Sequence, residues 1–159
     1  MIIKAIVAID RNGAIGKGGK LPWHYSADLK FFKGQTTGHV CVMGRRTWLS
    51  LAKPLPNRLN VVLTRSSPVG ARSGLISLPD KQSVLSLAPY LNCDLFVIGG
   101  RQIFDEFAPE IDEWIVTHVP LAVEHADTFM SPGFLEGYAL RESRELDDDL
   151  KVTFHTRPR

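Results

Sequence analysis

Cysteine is scarce in this chain: Cys41 and Cys93 are the only two among 159 residues. Two are too few for a disulfide framework and lack metal-ligand spacing, so both read as buried thiols in apolar runs, in a reducing compartment. Long apolar segments are missing too. None approaches the roughly 18 residues needed to span a membrane, and residues 1–4 lack the basic start and apolar run of a signal peptide. A cytoplasmic location is expected. Excess charge of either sign is absent: 19 Lys and Arg against 17 Asp and Glu leave +2, which gives no general case for binding nucleic acid. The common nucleotide fingerprints GxGxxG and GxxxxGK[ST] do not occur. His24, His39, His118, His125 and His155 do not cluster, and no metal-ligand set is evident. With no repeat, linker or low-complexity stretch, residues 1–159 read as one domain, long enough to bury a sizeable core.

What is present is an alternation of short apolar runs and helical segments. Residues 2–9, 39–43, 59–64, 75–78, 94–98 and 112–118 read as strands, most of them apolar enough for burial on both faces. Between them, residues 26–37, 45–51, 80–90 and 101–107 read as helices, with Ser26 and Asp80 as candidate N-caps. Residues 138–145 and 150–156 read as a terminal strand pair. The pattern predicts an α/β fold with a mostly parallel sheet, helices on both faces and an antiparallel hairpin at the C-terminal edge.

Two features carry chemistry. The first is the run Leu21-Pro22-Trp23-His24-Tyr25-Ser26-Ala27-Asp28-Leu29-Lys30-Phe31-Phe32, where the loop that follows the glycine-rich segment 10–20 passes into a helix. Helical spacing puts Asp28, Phe31 and Phe32 on one side. A carboxylate framed by Trp23, Phe31 and Phe32 suits a flat cationic heterocycle or an acid/base group with a raised pKa; alternatively, Asp28 complements the helix dipole. The second is a repeated turn: Val42 to Thr47, Val62 to Ser67 and Val97 to Gln102 each end a strand in small residues and then present arginine. In a parallel sheet these ends share the carboxyl edge, where ligands bind. Backbone N–H groups, helix N-termini and arginines there suit a phosphate-rich ligand such as a dinucleotide, unless the arginines are merely solvated.

Taken together, Ile15-Gly16, Leu21-Pro22-Trp23, Ala27-Asp28-Leu29 with Phe32, Met43-Gly44-Arg45 with Thr47-Trp48, Leu55-Pro56-Asn57-Arg58-Leu59-Asn60 and Val97-Ile98-Gly99-Gly100 resemble dihydrofolate reductases of the bacterial chromosomal type. The likeness extends through Thr117-His118 and Asp127-Thr128-Phe129, in the family's order and spacing. It implies NADPH-dependent reduction of dihydrofolate by a monomer without a metal. Asp28 would then hold the pterin and promote protonation at N5, with Thr117 fixing the acid. Ile6, Val7 and Ala8 would floor the pterin pocket, Phe32, Leu51 and Leu55 would line the aminobenzoyl wall, and Arg58 would grip the glutamate carboxylate. Leu21 would belong to a mobile lid. For NADPH, the resemblance implies Ala8, Ile15, Gly16 and Leu21 beside the nicotinamide. Phosphate turns would come from Gly44, Arg45, Arg46 and Thr47 and from Leu63, Thr64 and Arg65. Ile98, Gly99, Gly100, Arg101, Gln102, Ile103 and Phe104 would form a third turn, with a cis peptide between the two glycines. Arg45 and Arg65 would pair with a 2′-phosphate, favouring NADPH over NADH.

Departures from the family pattern are Phe104, where tyrosine is frequent, and Tyr25-Ser26 in place of the more usual Leu-Pro. Two other readings are a reductase of the same architecture acting on another pterin or on a pyrimidine intermediate, and a non-catalytic nucleotide- or nucleic-acid-binding module. Arg58 argues against the pyrimidine, which has no glutamate tail, and the near-neutral charge argues against the binding module.

Overall fold

The computed structural model describes residues 1–65, 69–70 and 72–158. In chain order its elements are β1 (Ile3–Ile9), β2 (Ala14–Gly16), α1 (Ser26–Thr36), β3 (Val40–Gly44), α2 (Arg45–Ser50), β4 (Leu59–Leu63), β5 (Leu75–Leu78) and α3 (Lys81–Leu87). They continue through β6 (Leu95–Gly99), α4 (Arg101–Phe107), β7 (Glu113–His118), β8 (Thr128–Phe129), β9 (Ala139–Glu145) and β10 (Lys151–Thr156).

Eight strands make one sheet in the order β5-β4-β3-β6-β1-β7-β10-β9. The pairings from β5 across to β7 are parallel. β10 runs antiparallel to both its neighbours, so the mostly parallel sheet and antiparallel terminal pair are as expected. Because successive side chains alternate faces, β3 sends Val40 and Val42 into one core and Cys41 and Met43 into the other. The first core takes Val84 of α3 and Ile103, Phe104 and Phe107 of α4. The second takes Trp48 of α2, with Phe31 and Phe32 of α1 packed against it. Each large side chain so buried contributes on the order of 1.5–3 kcal/mol. Burial pushes the Cys41 thiol up to about 12 and leaves it inert, though the nearby Arg58 charge and the Thr36 hydroxyl oppose the shift.

Buried polar groups fix the loops that reach the sheet's carboxyl edge. Asn60 is fully buried. Its side chain accepts from the Leu55 N–H and donates to the carbonyls of Leu55, Arg58 and Gly74. Asp10, only 3% exposed, accepts the N–H groups of Asn12, Ala14 and Val123, each at 2.8 Å. It thereby ties the turn after β1 to the loop after β7.

Several local expectations need correction. Helix α1 has Tyr25, not Ser26, as its N-cap, and the cap makes no side-chain hydrogen bond. The chain turns helical one residue early, with Asp28 still in the first turn. Asp80 does cap α3, accepting the Ser83 N–H. Cys93 is only half-buried, since it lies in the turn before β6 rather than in a strand. The glycine-rich loop after β1 contains β2, which pairs with β8. Three- and two-residue strands carry no readable periodicity. The histidines are not all dispersed: His118 and His155 each place Nε2 2.8 Å from the Thr153 hydroxyl. Ser66 and Ser67, the end of the second arginine-bearing turn, lie outside the described residues.

Asp10 carries a pH prediction. Burial pushes its carboxyl up, but the donors at Val123, Ala14 and Asn12 outweigh that and hold it below the ordinary value. A group with a depressed folded pKa stabilises above its unfolded pKa, and that stability is lost as pH falls through the folded value. Asp10→Asn should therefore lower stability by roughly 2 kcal/mol at neutral pH, from lost charge-assisted hydrogen bonds. Urea denaturation should show the gap to wild type closing below about pH 4.

Candidate active site

The parallel register sets the carboxyl ends of β1, β3, β4, β5, β6 and β7 along one edge. A cavity of about 1060 Å³ opens over that edge. At one end, Ile6, Val7 and Ala8 of β1 form part of its lining, and Ala8 is paired with Thr117 of β7. Helix α1 lies on the same face as Ile6 and turns Asp28, Leu29 and Phe32 into the cavity, while Leu51 and Leu55 continue the apolar wall. Burial pushes the half-buried Asp28 carboxyl above the ordinary range, and a hydrogen bond with the Thr117 hydroxyl pulls it part of the way back. A carboxyl so placed prefers a partner that donates protons or carries positive charge.

At the other end, three adjacent strands deliver polar turns in order. Gly44 pairs with Leu63 and Leu63 with Leu78. The residues that follow, Arg45, Arg46 and Thr47, then Thr64 and Arg65, then Pro79 and Asp80, all line the cavity. Among the described residues, Arg45, Arg46 and Arg65 form no ion pair within 4 Å, so their charge is available to an anion. Between the two ends, β6 passes through Gly99 and Gly100, joined by a cis peptide, into α4. Ile98, Gly100, Arg101, Gln102, Ile103 and Phe104 face the cavity there. At Gly44 a Cβ would meet Ile103 at 3.0 Å, whereas one at Gly100 would meet no protein atom within 4 Å. Glycine thus seats β3 against α4 and leaves the cavity open over the third turn.

The glycine-rich loop adds Ile15, Gly16, Gly18, Gly19, Lys20 and Leu21 to the lining. Leu21 is exposed. Asp127 accepts the Gly18 N–H at 2.8 Å, and Asp127 also feels the charge of Arg46. The glycine-rich loop is therefore tethered on the cavity's side by the loop that carries β8.

The expected residues that do not line the cavity are Arg58 and Gly99. Arg58 is buried, donating from Nε to the Pro56 carbonyl and from a terminal nitrogen to the Thr36 hydroxyl. Its guanidinium carbon lies 5.9 Å from the Phe32 ring centroid. Gly99 sits behind Gly100, with φ of +111° and the Phe104 ring 3.0 Å from where a Cβ would lie. Arg101 reaches the cavity but is not a free cation: it pairs with Asp105 at 2.8 Å and donates to the Phe129 carbonyl. The framing of Asp28 is also narrower than expected. Phe31 turns away to pack edge-on against Phe154, and Trp23 is not part of the lining. Missing from the expected set were Gly18, Gly19, Lys20, Leu29, Ser50, Pro79, Asp80, Glu106, Asp127 and Thr128. Leu29 stands three residues before Phe32, a helical spacing that carried the signal; Asp80 was legible only as a cap.

An acid-bearing apolar pocket continuous with an arginine-rich strand edge defines an α/β protein suited to bringing a flat heterocycle against a nucleotide. Comparison with known proteins sharpens that class. The family model described as dihydrofolate reductase matches residues 2–158. Dihydrofolate reductase type 3 of Salmonella typhimurium is 36% identical over 140 residues, covering 86% of this chain and 85% of that one. The dihydrofolate reductase of Staphylococcus aureus is 35% identical over 157 residues, covering 98% and 95%. The solved structure of the Enterococcus faecalis enzyme, complexed with NADP(H) and RAB-propyl, superposes with a TM-score of 0.88 at 31% identity, covering 99% of this chain and 97% of that one. This chain belongs to the dihydrofolate reductase family.

Removing the Thr117 hydroxyl removes the group that opposes burial at Asp28. In Thr117→Val, the Asp28 carboxyl should titrate still higher than in wild type. A carbon-13 NMR titration, with Asp28→Asn to assign the signal, reads this directly; an unchanged or lower midpoint would mean that Thr117 does not act on the acid.

Proposed function

We propose that this single-domain protein reduces 7,8-dihydrofolate to 5,6,7,8-tetrahydrofolate with NADPH, as a cytoplasmic monomer supplying one-carbon units for thymidylate and purine synthesis. The observation that carries this reading is Asp28, a half-buried carboxyl with a raised pKa, set in an apolar pocket that is continuous with an arginine-bearing edge. In support of a monomer, the edge strand β9 carries Arg141, Glu142, Arg144 and Glu145, charges that discourage edge-to-edge pairing. The same pocket is the expected seat of antifolate inhibitors.

Asp28 binds the 2-amino group and N3 of the pterin and promotes protonation at N5, with Thr117 holding the carboxyl in place. Ile6, Val7 and Ala8 floor the ring; Phe32, Leu51 and Leu55 enclose the aminobenzoyl group. Arg58 has three N–H groups without a partner among the described residues, and these take the glutamate carboxylate as a charge-assisted fork. NADPH, when bound, supplies hydride from nicotinamide C4 to pterin C6. Its nicotinamide would rest by Ala8, Ile15, Gly16 and Leu21, its phosphates by Arg46, Thr47, Gly100 and Gln102, and its 2′-phosphate between Arg45 and Arg65. Leu21 and its loop exclude water from the hydride path.

Purified protein should consume NADPH when dihydrofolate is added and not when it is omitted; no dihydrofolate-dependent loss would overturn the reading. In Arg58→Leu the KM for dihydrofolate should rise about 10- to 100-fold, the loss of a charge-assisted pairing. The KM for a dihydropterin lacking the glutamate tail should stay the same. A parallel rise for both substrates would mean that Arg58 only supports the fold.

A further inference from the structure

The row of cations at the nucleotide end of the cavity finishes on an acid. Leu63 and Leu78 are register partners on β4 and β5, and the Thr64 N–H donates to the Leu78 carbonyl at 3.0 Å. Two residues on from that pair, just past the ends of both strands, stand Arg65 and Asp80, near enough for the Arg65 charge to act on the Asp80 carboxyl. Both line the cavity. Asp80 is also anchored: its Oδ1 accepts the Ser83 N–H at 2.8 Å and the Ser83 hydroxyl at 2.7 Å. Its Oδ2 takes no hydrogen bond from a described residue. The Ser83 donors, and behind them the charge of Arg65, hold this exposed carboxyl below the ordinary range, so it stays ionised at neutral pH.

We propose that Asp80 is a specificity-determining residue that narrows the preference for a 2′-phosphorylated dinucleotide over its unphosphorylated counterpart. This rests on the reading that the 2′-phosphate lies between Arg45 and Arg65. The fixed carboxylate beside Arg65 offsets part of that arginine's attraction and repels the dianionic phosphate directly. A 2′-hydroxyl carries no charge to be repelled, and Oδ2 can accept a hydrogen bond from it. The charge of Asp80 is separable from its role as the α3 cap, because asparagine and serine cap a helix about as well as aspartate. Asp80→Asn and Asp80→Ser therefore remove the charge while keeping the cap.

Titration calorimetry with NADP⁺ and NAD⁺ against the full-length wild type and both variants separates the outcomes without depending on turnover. In both variants the Kd for NADP⁺ should fall about three- to tenfold, the scale of one like charge nearby in a solvated site. The Kd for NAD⁺ should stay level or rise, and added salt should shrink the NADP⁺ difference. Equal shifts for the two dinucleotides, or weaker NADP⁺ binding, would overturn the proposal. If dihydrofolate-dependent NADPH oxidation is intact in wild type, that result would leave the proposed function standing. If wild type binds neither dinucleotide, both readings fall.

Discussion

Parallel pairing is the constraint on which everything functional here depends. Six strands from β5 to β7 run the same way, so their carboxyl ends share one edge and their following turns must all open toward the same space. Residues far apart in the chain, among them Ala8, Gly44, Thr64, Asp80, Gly100 and Thr117, line one cavity for that reason alone. Packing on both faces then fixes what stands over the edge. The core beneath α4 holds the third turn in place, and the core beneath α1 and α2 brings Asp28 and Leu51 to the opposite end.

Within that frame the two ends differ in their physics. Around Asp28 the surroundings are apolar, and the cost of desolvating a carboxylate keeps its pKa high. At the arginine end the cations are largely without protein partners, and anion binding is favoured by charge left uncompensated. The glycine-rich loop bridges the two ends through the hydrogen bond from Gly18 to Asp127 and the pairing of β2 with β8. Asp127 senses Arg46 as well, so the loop's tether and the phosphate end are electrostatically connected.

Much of this was legible in the chain. Apolar runs such as residues 59–64 and 94–98 announce buried strands, and glycine followed by arginine marks where they end. The loop-to-helix run placed Asp28 with Phe32 on one side of α1. What escaped the sequence depends on partners distant in the chain. Arg101 reads as a phosphate ligand until Asp105 and the Phe129 carbonyl are seen to engage it. Arg58 reads as a substrate ligand, but its anchoring by Pro56 and Thr36 beside the Phe32 ring depends on chain segments that no local pattern links. Asp80 reads as a helix cap, which it is, but its place beside Arg65 follows from β4–β5 register, which no local pattern encodes. Strands β2 and β8 are too short to show any period.

The central claim is that a desolvated acid at position 28 promotes protonation of a bound pterin. It is tested most directly by the pH dependence of dihydrofolate-dependent NADPH oxidation in wild type and in Asp28→Asn. Loss of a positioned acid/base group predicts a fall in kcat of about 10²–10⁴-fold at neutral pH. The deficit should shrink as pH falls, because solution protons then supply what the carboxyl no longer promotes. A variant that retains wild-type turnover at neutral pH, or a deficit that is constant across the pH range, would contradict the account.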